Sequence, residues 1–221
     1  MDILFFAAVA LLIFLKLGKQ LGRVDEEEKK MMDAKIAKQK EQIEAIQGKI
    51  IQKITEISEE QKQAEEKILG DLDATTRASF SDILQRCNIS AQFFVNGAKS
   101  VFEMTLKAFA ANDLEALKPL LSDNVFAGFE GAINERKLLS QTLTTNLIAI
   151  NKAEILSAGM FENFALVVVK ISSRQINYIS DVSGQIVVGK KDEINELSDV
   201  WTFKKDVTSA NPSWVVSNTA S

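Results

Sequence analysis

Very few side chains in this sequence are suited to covalent or acid–base chemistry. The chain contains no histidine, one cysteine and one tyrosine. Without histidine there is no Ser-His-Asp triad and no imidazole ligand for a metal. One cysteine excludes an intrachain disulfide and a cysteine cage for zinc or an iron–sulfur cluster. Chemistry by carboxylates, lysines or hydroxyl groups remains, or none, and we predict no catalytic, cofactor or metal site.

Three local patterns partly resemble known kinds of reactive site, but each has a simpler structural interpretation. Asn96–Ser100 is close to a phosphate-binding loop, yet it lacks the first glycine and a preceding strand and falls within a helical period. Cys87 stands in an apolar helical stretch, which favours a small buried residue over a nucleophile. Tyr178 would serve a proton shuttle only if an acid such as Asp199 met it in one cavity.

Charge and hydropathy divide the chain into three parts, which we predict to be an anchor (1–17), a linker (18–75) and a domain (76–221). The net charge is +2 over residues 1–24, −5 over 25–75 and −1 over 76–221. The total of −4 argues against direct binding of nucleic acid. Because only the middle part is strongly charged, we expect it to be the solvated connection between the other two.

The first part contains an apolar run that we interpret as a membrane anchor. Its large apolar residues are Ile3, Leu4, Phe5, Phe6, Val9, Leu11, Leu12, Ile13, Phe14 and Leu15, and together they favour insertion by about 3–6 kcal/mol. A cleaved signal peptide is the alternative, but signal peptides carry basic residues before the apolar run, and here the acidic Asp2 precedes it. We therefore expect an uncleaved helix that stays in the membrane.

Basic residues on one side of this run predict its orientation. Lys16, Lys19 and Arg23 follow the run, and no basic side chain precedes it. Positive residues flanking a membrane helix stay in the cytoplasm. We therefore predict a single-pass protein of a bacterial inner membrane with the bulk of its chain in the cytoplasm.

The linker carries an isoleucine stripe typical of an amphipathic helix. The stripe consists of Ile36, Ile43, Ile50 and Ile57 at intervals of seven residues, with Ile46 in the neighbouring row. One interpretation is a coiled-coil stalk that pairs two copies of the chain or spaces the domain from the membrane. The other is a charged helix that lies on the domain or is solvated.

The third part changes its hydrophobic period midway. A helix is predicted from Ser90 to about Ala111, a short one over Leu114–Leu121, and another from Ser122 to about Leu139. The later sequence predicts strands at Thr142–Ile155, Phe164–Ile171, Leu197–Val207 and Trp214–Val216, with Leu197, Trp201 and Phe203 on one face. Helices followed by a meander predict an α+β fold, with helices packed on one face of an antiparallel sheet.

Several motifs of the third part resemble a known family. They are Gly97–Met104, Ala108–Asp123, Val125–Glu130, Ile133–Arg136, Ile150–Ile155, and Asp199–Phe203 with Asp206, Ser209, Pro212 and Trp214. Together they resemble the C-terminal domain of Tim forty-four, the motor anchor of the mitochondrial inner-membrane translocase. The resemblance is closer to its alphaproteobacterial relatives, called TimA, which also begin with a membrane segment. It covers roughly residues 80–219.

The resemblance implies a nuclear-transport-factor-two or cystatin-like α+β domain with an apolar pocket. It also implies a non-enzymatic adaptor, because the mitochondrial relatives dock on the inner membrane and recruit a DnaK-type chaperone to an import channel, and other relatives contact ribosomes. Two features depart from the family pattern: the linker sequence predicts a helix where the family has a segment rich in proline, and Asn211–Trp214 reads Asn-Pro-Ser-Trp instead of Asp-Pro-Asn-Trp.

These observations predict a membrane-tethered adaptor in protein transport. Its partners would be membrane lipid and a chaperone, a translocase or a ribosome, with a possible homodimer through the linker. One alternative is a pocket for a lipid or another hydrophobic ligand, against which stands a core filled by aromatic side chains. An isomerase-like enzyme of the same fold group is the second alternative.

Overall fold

The computed structural model of the protein describes residues 31, 49 and 59–220. The apolar run Ile3–Leu15, the cations that follow it and the isoleucine stripe Ile36–Ile57 lie outside the described residues. In the part that is described, no helix combines the length and the hydropathy that a membrane crossing requires. The chain divides into two compact units, Met1–Glu60 and Gln61–Ser221, and the fold below is that of the second unit.

Helices occupy the first half of this unit. They are α1 at residues 61–70, α2 at Ala74–Cys87, α3 at Ala91–Ala110, α4 at Leu114–Leu117 and α5 at Asp123–Leu138. Their starts follow from side-chain caps, since the Asp73 carboxylate accepts from the amides of Thr75 and Thr76, and the Ser90 hydroxyl accepts from Phe93. The predicted helix starts at Ser90 and Ser122 are confirmed.

The short helix α4 ends earlier than the sequence predicts. Pro119 has no amide hydrogen to donate, which disfavours continuation of the helix. The backbone beyond it bonds to the sheet instead: the Val216 amide donates to the Leu120 carbonyl, and the Ser122 amide donates to the Val216 carbonyl, both over 2.8 Å. Leu121 therefore forms a parallel bridge with Val216 rather than a last helical turn.

The second half forms one antiparallel sheet. Its strands are β1 at Thr142–Phe161, β2 at Phe164–Ser180, β3 at Ile186–Gly189, β4 at Asn195–Asp206 and β5 at Val215–Ala220. The order of the strands is β1-β2-β4-β5. The short strand β3 pairs with residues 178–180 of β2, on the same edge of β2 that pairs with β4 over residues 164–175. The predicted α+β class, with helices before an antiparallel sheet, is confirmed, and strands β1 and β2 are longer than predicted.

Three irregularities in β1 distinguish it from the regular β2. The pairing of the two strands skips Ile148, Asn151 and Leu156, so each is an extra residue on β1. Such bulges bend a strand and increase its twist, which suits a sheet that wraps around helices. Ile148 and Leu156 are exposed large hydrophobic residues, because an extra residue is released from the inward-facing row.

The core lies between α3 and the face of the sheet that carries the alternate residues of β2. On that face Ala165, Val167, Val169 and Ile171 are completely buried. Trp201 and Phe203 of β4 share the face and are buried as predicted, whereas Leu197, further along the strand, is still 37% exposed. One row of side chains on each strand therefore forms the floor on which the helices pack.

Aromatic rings join α3 to this floor. The ring of Phe94 lies 5.5 Å from Phe80, 5.9 Å from Phe203 and 4.9 Å from Trp214, in each case edge to face. Two turns further along α3, the ring of Phe102 lies 4.8 Å from that of Trp201. Such pairs add to the hydrophobic stabilisation that burial of the rings supplies.

Each end of α3 is also held by a charged side chain from another helix. At its start, the Glu65 carboxylate of α1 accepts from the amides of Ala91 at 2.7 Å and Gln92 at 3.0 Å. At its end, Nη2 of Arg136 in α5 donates to the Phe109 carbonyl at 2.7 Å. An anion at the N-terminus and a cation at the C-terminus both complement the helix dipole.

Two neighbouring phenylalanines of α3 test how far the fold depends on the aromatic cluster. Phe94→Ala removes a ring that is 3% exposed and packs against three others, whereas Phe93→Ala removes one that is 66% exposed. We expect Phe94→Ala to lower the free energy of unfolding by about 3–5 kcal/mol. Phe93→Ala should change it by less than about 0.5 kcal/mol. Urea unfolding followed by circular dichroism measures both, and equal losses would contradict the proposed role of Phe94.

Candidate functional site

The space between α3 and the sheet is filled rather than open. Phe80, Phe102, Ile133 and Phe203 are each no more than 1% exposed, and their rings and side chains occupy the region where an interior cavity would lie. Of the two possibilities left by the sequence, the filled core describes this region. A ligand surface must therefore be sought at the margins of the core.

An apolar cleft opens at one margin, between α5, the end of α3 and β5. Its volume is about 400 Å³, and one wall is built from Phe109, Val125 and Phe129. The rings of Phe109 and Phe129 meet edge to face with centroids 4.9 Å apart. The opposite wall is polar and is formed by residues 217–219 of β5. An apolar wall facing a few polar groups is typical of a binding cleft.

Arg136 holds the end of α3 beside this cleft. Its guanidinium lies 4.1 Å from the centre of the Phe109 ring and donates to the Phe109 carbonyl and to Oδ1 of Asn112, the latter over 2.9 Å. The residue is only 8% exposed. Desolvation lowers the pKa of Arg136, but the guanidinium stays charged because its ordinary pKa is so high. Arg136 thereby fixes the position of Phe109 in the wall of the cleft.

The structural role of Arg136 is a feature that reasoning from sequence missed, although a signal was present. Phe126, Phe129 and Ile133 define the buried stripe of α5, and Arg136 follows Ile133 by three residues on that stripe. A cation placed on the apolar side of a helix needs a buried acceptor. The free carbonyls at the end of α3 supply that acceptor, but only the tertiary structure brings them to it.

The two residues of the isomerase-like alternative lie on opposite faces of the sheet. Asp199 pairs with Ile171, which belongs to the buried row of β2. Tyr178 follows Ile171 by seven residues on the same regular strand, so its side chain is on the other face. A base and an oxyanion donor must converge on one substrate, and these two side chains do not.

The other reactive patterns have the structural roles that the sequence favoured. Residues 96–100 lie inside α3, where they form helical turns and not a phosphate loop. Cys87 ends α2 in a half-buried position, and desolvation raises the pKa of its thiol, so it stays protonated at neutral pH. Within residues 59–220 no group of three or more metal-ligating side chains comes together.

The sequence of this domain matches a known protein family. Residues 86–221 match the Tim44-like domain family. The chain belongs to that family. The match includes α3, α5, the whole sheet and both walls of the cleft.

Two individual similarities accompany the family match. The chain is 26% identical over 108 residues to the probable mitochondrial import inner membrane translocase subunit tin-44 of Caenorhabditis elegans. That alignment covers 48% of this chain and 25% of the relative, so the chain spans about a quarter of that protein's length. The crystal structure of the intermembrane-space region of the chloroplast protein ARC6 superposes with a TM-score of 0.41 and 12% identity, covering 57% of this chain and 94% of that one.

Replacement of Arg136 tests its role in this Tim44-like domain. Arg136→Ala removes two hydrogen bonds, the stacking on Phe109 and a buried alkyl stem, so we expect the free energy of unfolding to fall by about 2–4 kcal/mol. Arg86→Ala is the matched control, because Arg86 makes only an exposed ion pair with Asp82 in α2 and should show no measurable effect. Urea denaturation measures both, and a neutral Arg136→Ala would show that the contact contributes no net stability.

Two aspartates should give opposite dependences of stability on pH. Burial raises the pKa of Asp199, so its charged form destabilises the fold once the pH exceeds the unfolded pKa, and the cost is complete above the folded pKa. We expect Asp199→Asn to raise the Tm at neutral pH, and the gain to vanish as the pH falls below the ordinary value of 3.8.

Asp181 is the control for this experiment. Hydrogen bonds from Ser183 and from the amide of Gln185 lower its pKa, so its charged form stabilises the fold, and that stability is lost as the pH falls through the folded pKa. Asp181→Asn should therefore lower the Tm at neutral pH, with a difference that closes in acid. Thermal melts from neutral to acidic pH measure the Tm of both variants. A lower Tm in both variants at neutral pH would refute the assignment for Asp199.

Proposed function

We propose that this chain is a membrane-tethered adaptor that presents its Tim44-like domain at the inner membrane for protein transport. The observation that carries the proposal is the family match over residues 86–221. It is supported by the relative tin-44, which is described as an inner membrane translocase subunit. Because the chain spans only a quarter of that relative, the activities of the rest of the relative are not transferred.

The tether in this proposal is the apolar run Ile3–Leu15, with Lys16, Lys19 and Arg23 as the residues that keep the bulk of the chain in the cytoplasm. The isoleucine stripe Ile36–Ile57 then spaces the domain from the bilayer or pairs two copies. We propose a single-pass inner-membrane protein of an alphaproteobacterial type.

The partner in this proposal is a protein: a DnaK-type chaperone, a translocase component or a ribosome. The cleft beside α5 suits a protein partner because its aromatic wall is fixed by Arg136 and needs no rearrangement to bind. The domain acts by binding and not by catalysis, in keeping with the separation of Tyr178 from Asp199 on the sheet.

A lipid or another hydrophobic ligand is the second candidate, and the same cleft favours it. Its wall of Phe109, Val125 and Phe129 is apolar enough to accept an acyl chain. A volume of about 400 Å³ holds only part of a phospholipid, which is why we place a protein partner first. Phospholipid retained in a native mass spectrum of the purified chain would favour the lipid.

One experiment tests tether and partner together. A photo-crosslinking amino acid at position 124, an exposed residue at the edge of the cleft, is introduced into the full chain and into a variant lacking residues 3–15. We expect the full chain to remain in membranes washed with alkaline carbonate and to crosslink to a chaperone, translocase or ribosomal protein there. The deletion should release the chain from the membrane.

Two controls make the outcome specific. A deletion of equal length in the linker, residues 37–49, should leave the chain in the membrane pellet. The crosslinking residue placed instead at position 192, in the exposed connection between β3 and β4, should capture no such partner. Recovery of the full chain in the soluble fraction would exclude the tether, and crosslinks to lipid alone would exclude the protein adaptor in favour of the second candidate.

A further inference from the structure

A second, more polar pocket lies on a different part of the domain. It has a volume of about 290 Å³ and opens where the connection between β4 and β5 meets the start of α5. Ser122, Lys204, Lys205, Asp206 and Ser213 are among the residues that line it. The apolar cleft shares none of these residues, so the two are separate surfaces of the domain.

Neighbouring groups hold both lysines of this pocket in place. The ammonium group of Lys204 lies 3.8 Å from the centre of the Phe164 ring, and Phe164 also lines the pocket. Lys205 is 8% exposed, and its ammonium group donates to the Asn211 carbonyl at 2.5 Å. That bond secures the wall formed by the connection between the strands. Within residues 59–220 neither ammonium group has a carboxylate oxygen within 4.0 Å.

An unsatisfied hydroxyl group completes the set of donors. The side-chain oxygen of Ser122 is buried and has no hydrogen-bond partner in the described part of the chain. Although Ser122 stands at the N-cap of α5, its hydroxyl makes no capping bond. A buried hydroxyl without a partner costs free energy, and a ligand acceptor at this point would remove that cost.

The charges of the pocket suit an anion with a single negative charge. Lys204 and Lys205 contribute two positive charges and Asp206 one negative charge. Hydrogen bonds from Thr208 lower the pKa of Asp206, so it is ionised at neutral pH. One oxygen of Asp206 is occupied by Thr208. The remaining charge of +1 attracts a carboxylate, while Asp206 disfavours a phosphate group with two charges.

We propose that this pocket binds one carboxylate group presented by a protein partner. The proposal rests on the adaptor function, for which it supplies the chemistry of a contact outside the apolar cleft. Lys204 and the hydroxyls of Ser122 and Ser213 donate to the carboxylate, and Lys205 holds the wall. The carboxylate is a side chain or a C-terminus of the partner, since both present the same group.

The test uses the full chain in detergent and a probe of known structure. N-acetyl-trialanine with a free C-terminal carboxylate is titrated into the ¹⁵N-labelled protein, with the same peptide as its carboxamide for comparison. We expect saturable shifts of the Ser122 and Ser213 amide signals with the acid and none with the amide. Equal or unsaturable responses to both would overturn the proposal.

Variants assign the binding to the named groups. Lys204→Met should weaken binding of the acid by about tenfold, the effect of one charge-assisted hydrogen bond, and Lys204→Arg should restore it. Lys170→Met is the matched control, because Lys170 lies on β2 and does not line the pocket. Ser122→Ala should weaken binding without lowering the Tm, since its hydroxyl makes no bond in the fold. Unchanged affinity in both Lys204→Met and Ser122→Ala would refute the site.

Inorganic phosphate forms the third arm of the titration. Weaker binding than the peptide acid supports a carboxylate pocket. Tighter binding that depends on Lys204 would overturn the proposal, because the pocket would then be a phosphate site. The experiment needs neither a membrane nor the natural partner, so its failure would leave the adaptor function standing. A failure of the crosslinking experiment would likewise leave the pocket measurable.

Discussion

The packing of α3 on the sheet is the interaction on which the rest of this domain depends. Phe94 and Phe102 place their rings against Phe203, Trp214 and Trp201, so the helix has one preferred height and rotation above the strands. The two pairs of Phe94 resist sliding because their edge-to-face geometry is lost when either ring moves. The elements before and after α3 in the chain are then arranged around a fixed axis.

Charged side chains at both ends of α3 add to the stabilisation that its apolar contacts provide. Glu65 neutralises free amides at the start of α3, and Arg136 neutralises free carbonyls at its end. These two side chains belong to α1 and α5, so the dipole of one helix also orders its neighbours. For function, this means that a residue of each candidate surface is held in place by a defined contact. Arg136 holds Phe109 of the apolar cleft, and a backbone hydrogen bond to β5 holds Ser122 of the polar pocket.

A filled interior directs binding to the margins of the domain. With the space under α3 occupied by side chains, binding is directed to the margins of the core, and two such surfaces lie beside α5 and at the connection between β4 and β5. One surface is largely apolar and the other is charged. An adaptor benefits from this separation, because an apolar contact supplies affinity while a charged contact limits which partners fit.

Local chemistry in the sequence determined the identity of the elements and the family. Ser90 and Ser122 mark helix starts because serine is favoured at the residue before a helix, and alternation predicts the burial of Trp201 and Phe203. The motifs of residues 97–136 and 199–214 carry the resemblance to the Tim44-like family. Each of these signals is complete within a short stretch of chain. The tertiary structure alone decided the bulges of β1, the bridge between Leu121 and Val216 and the burial of Arg136. It also brought Ser122 beside Lys204, more than eighty residues later in the chain. These features depend on the register of distant strands and on acceptors supplied by other helices, and no local pattern encodes such pairings.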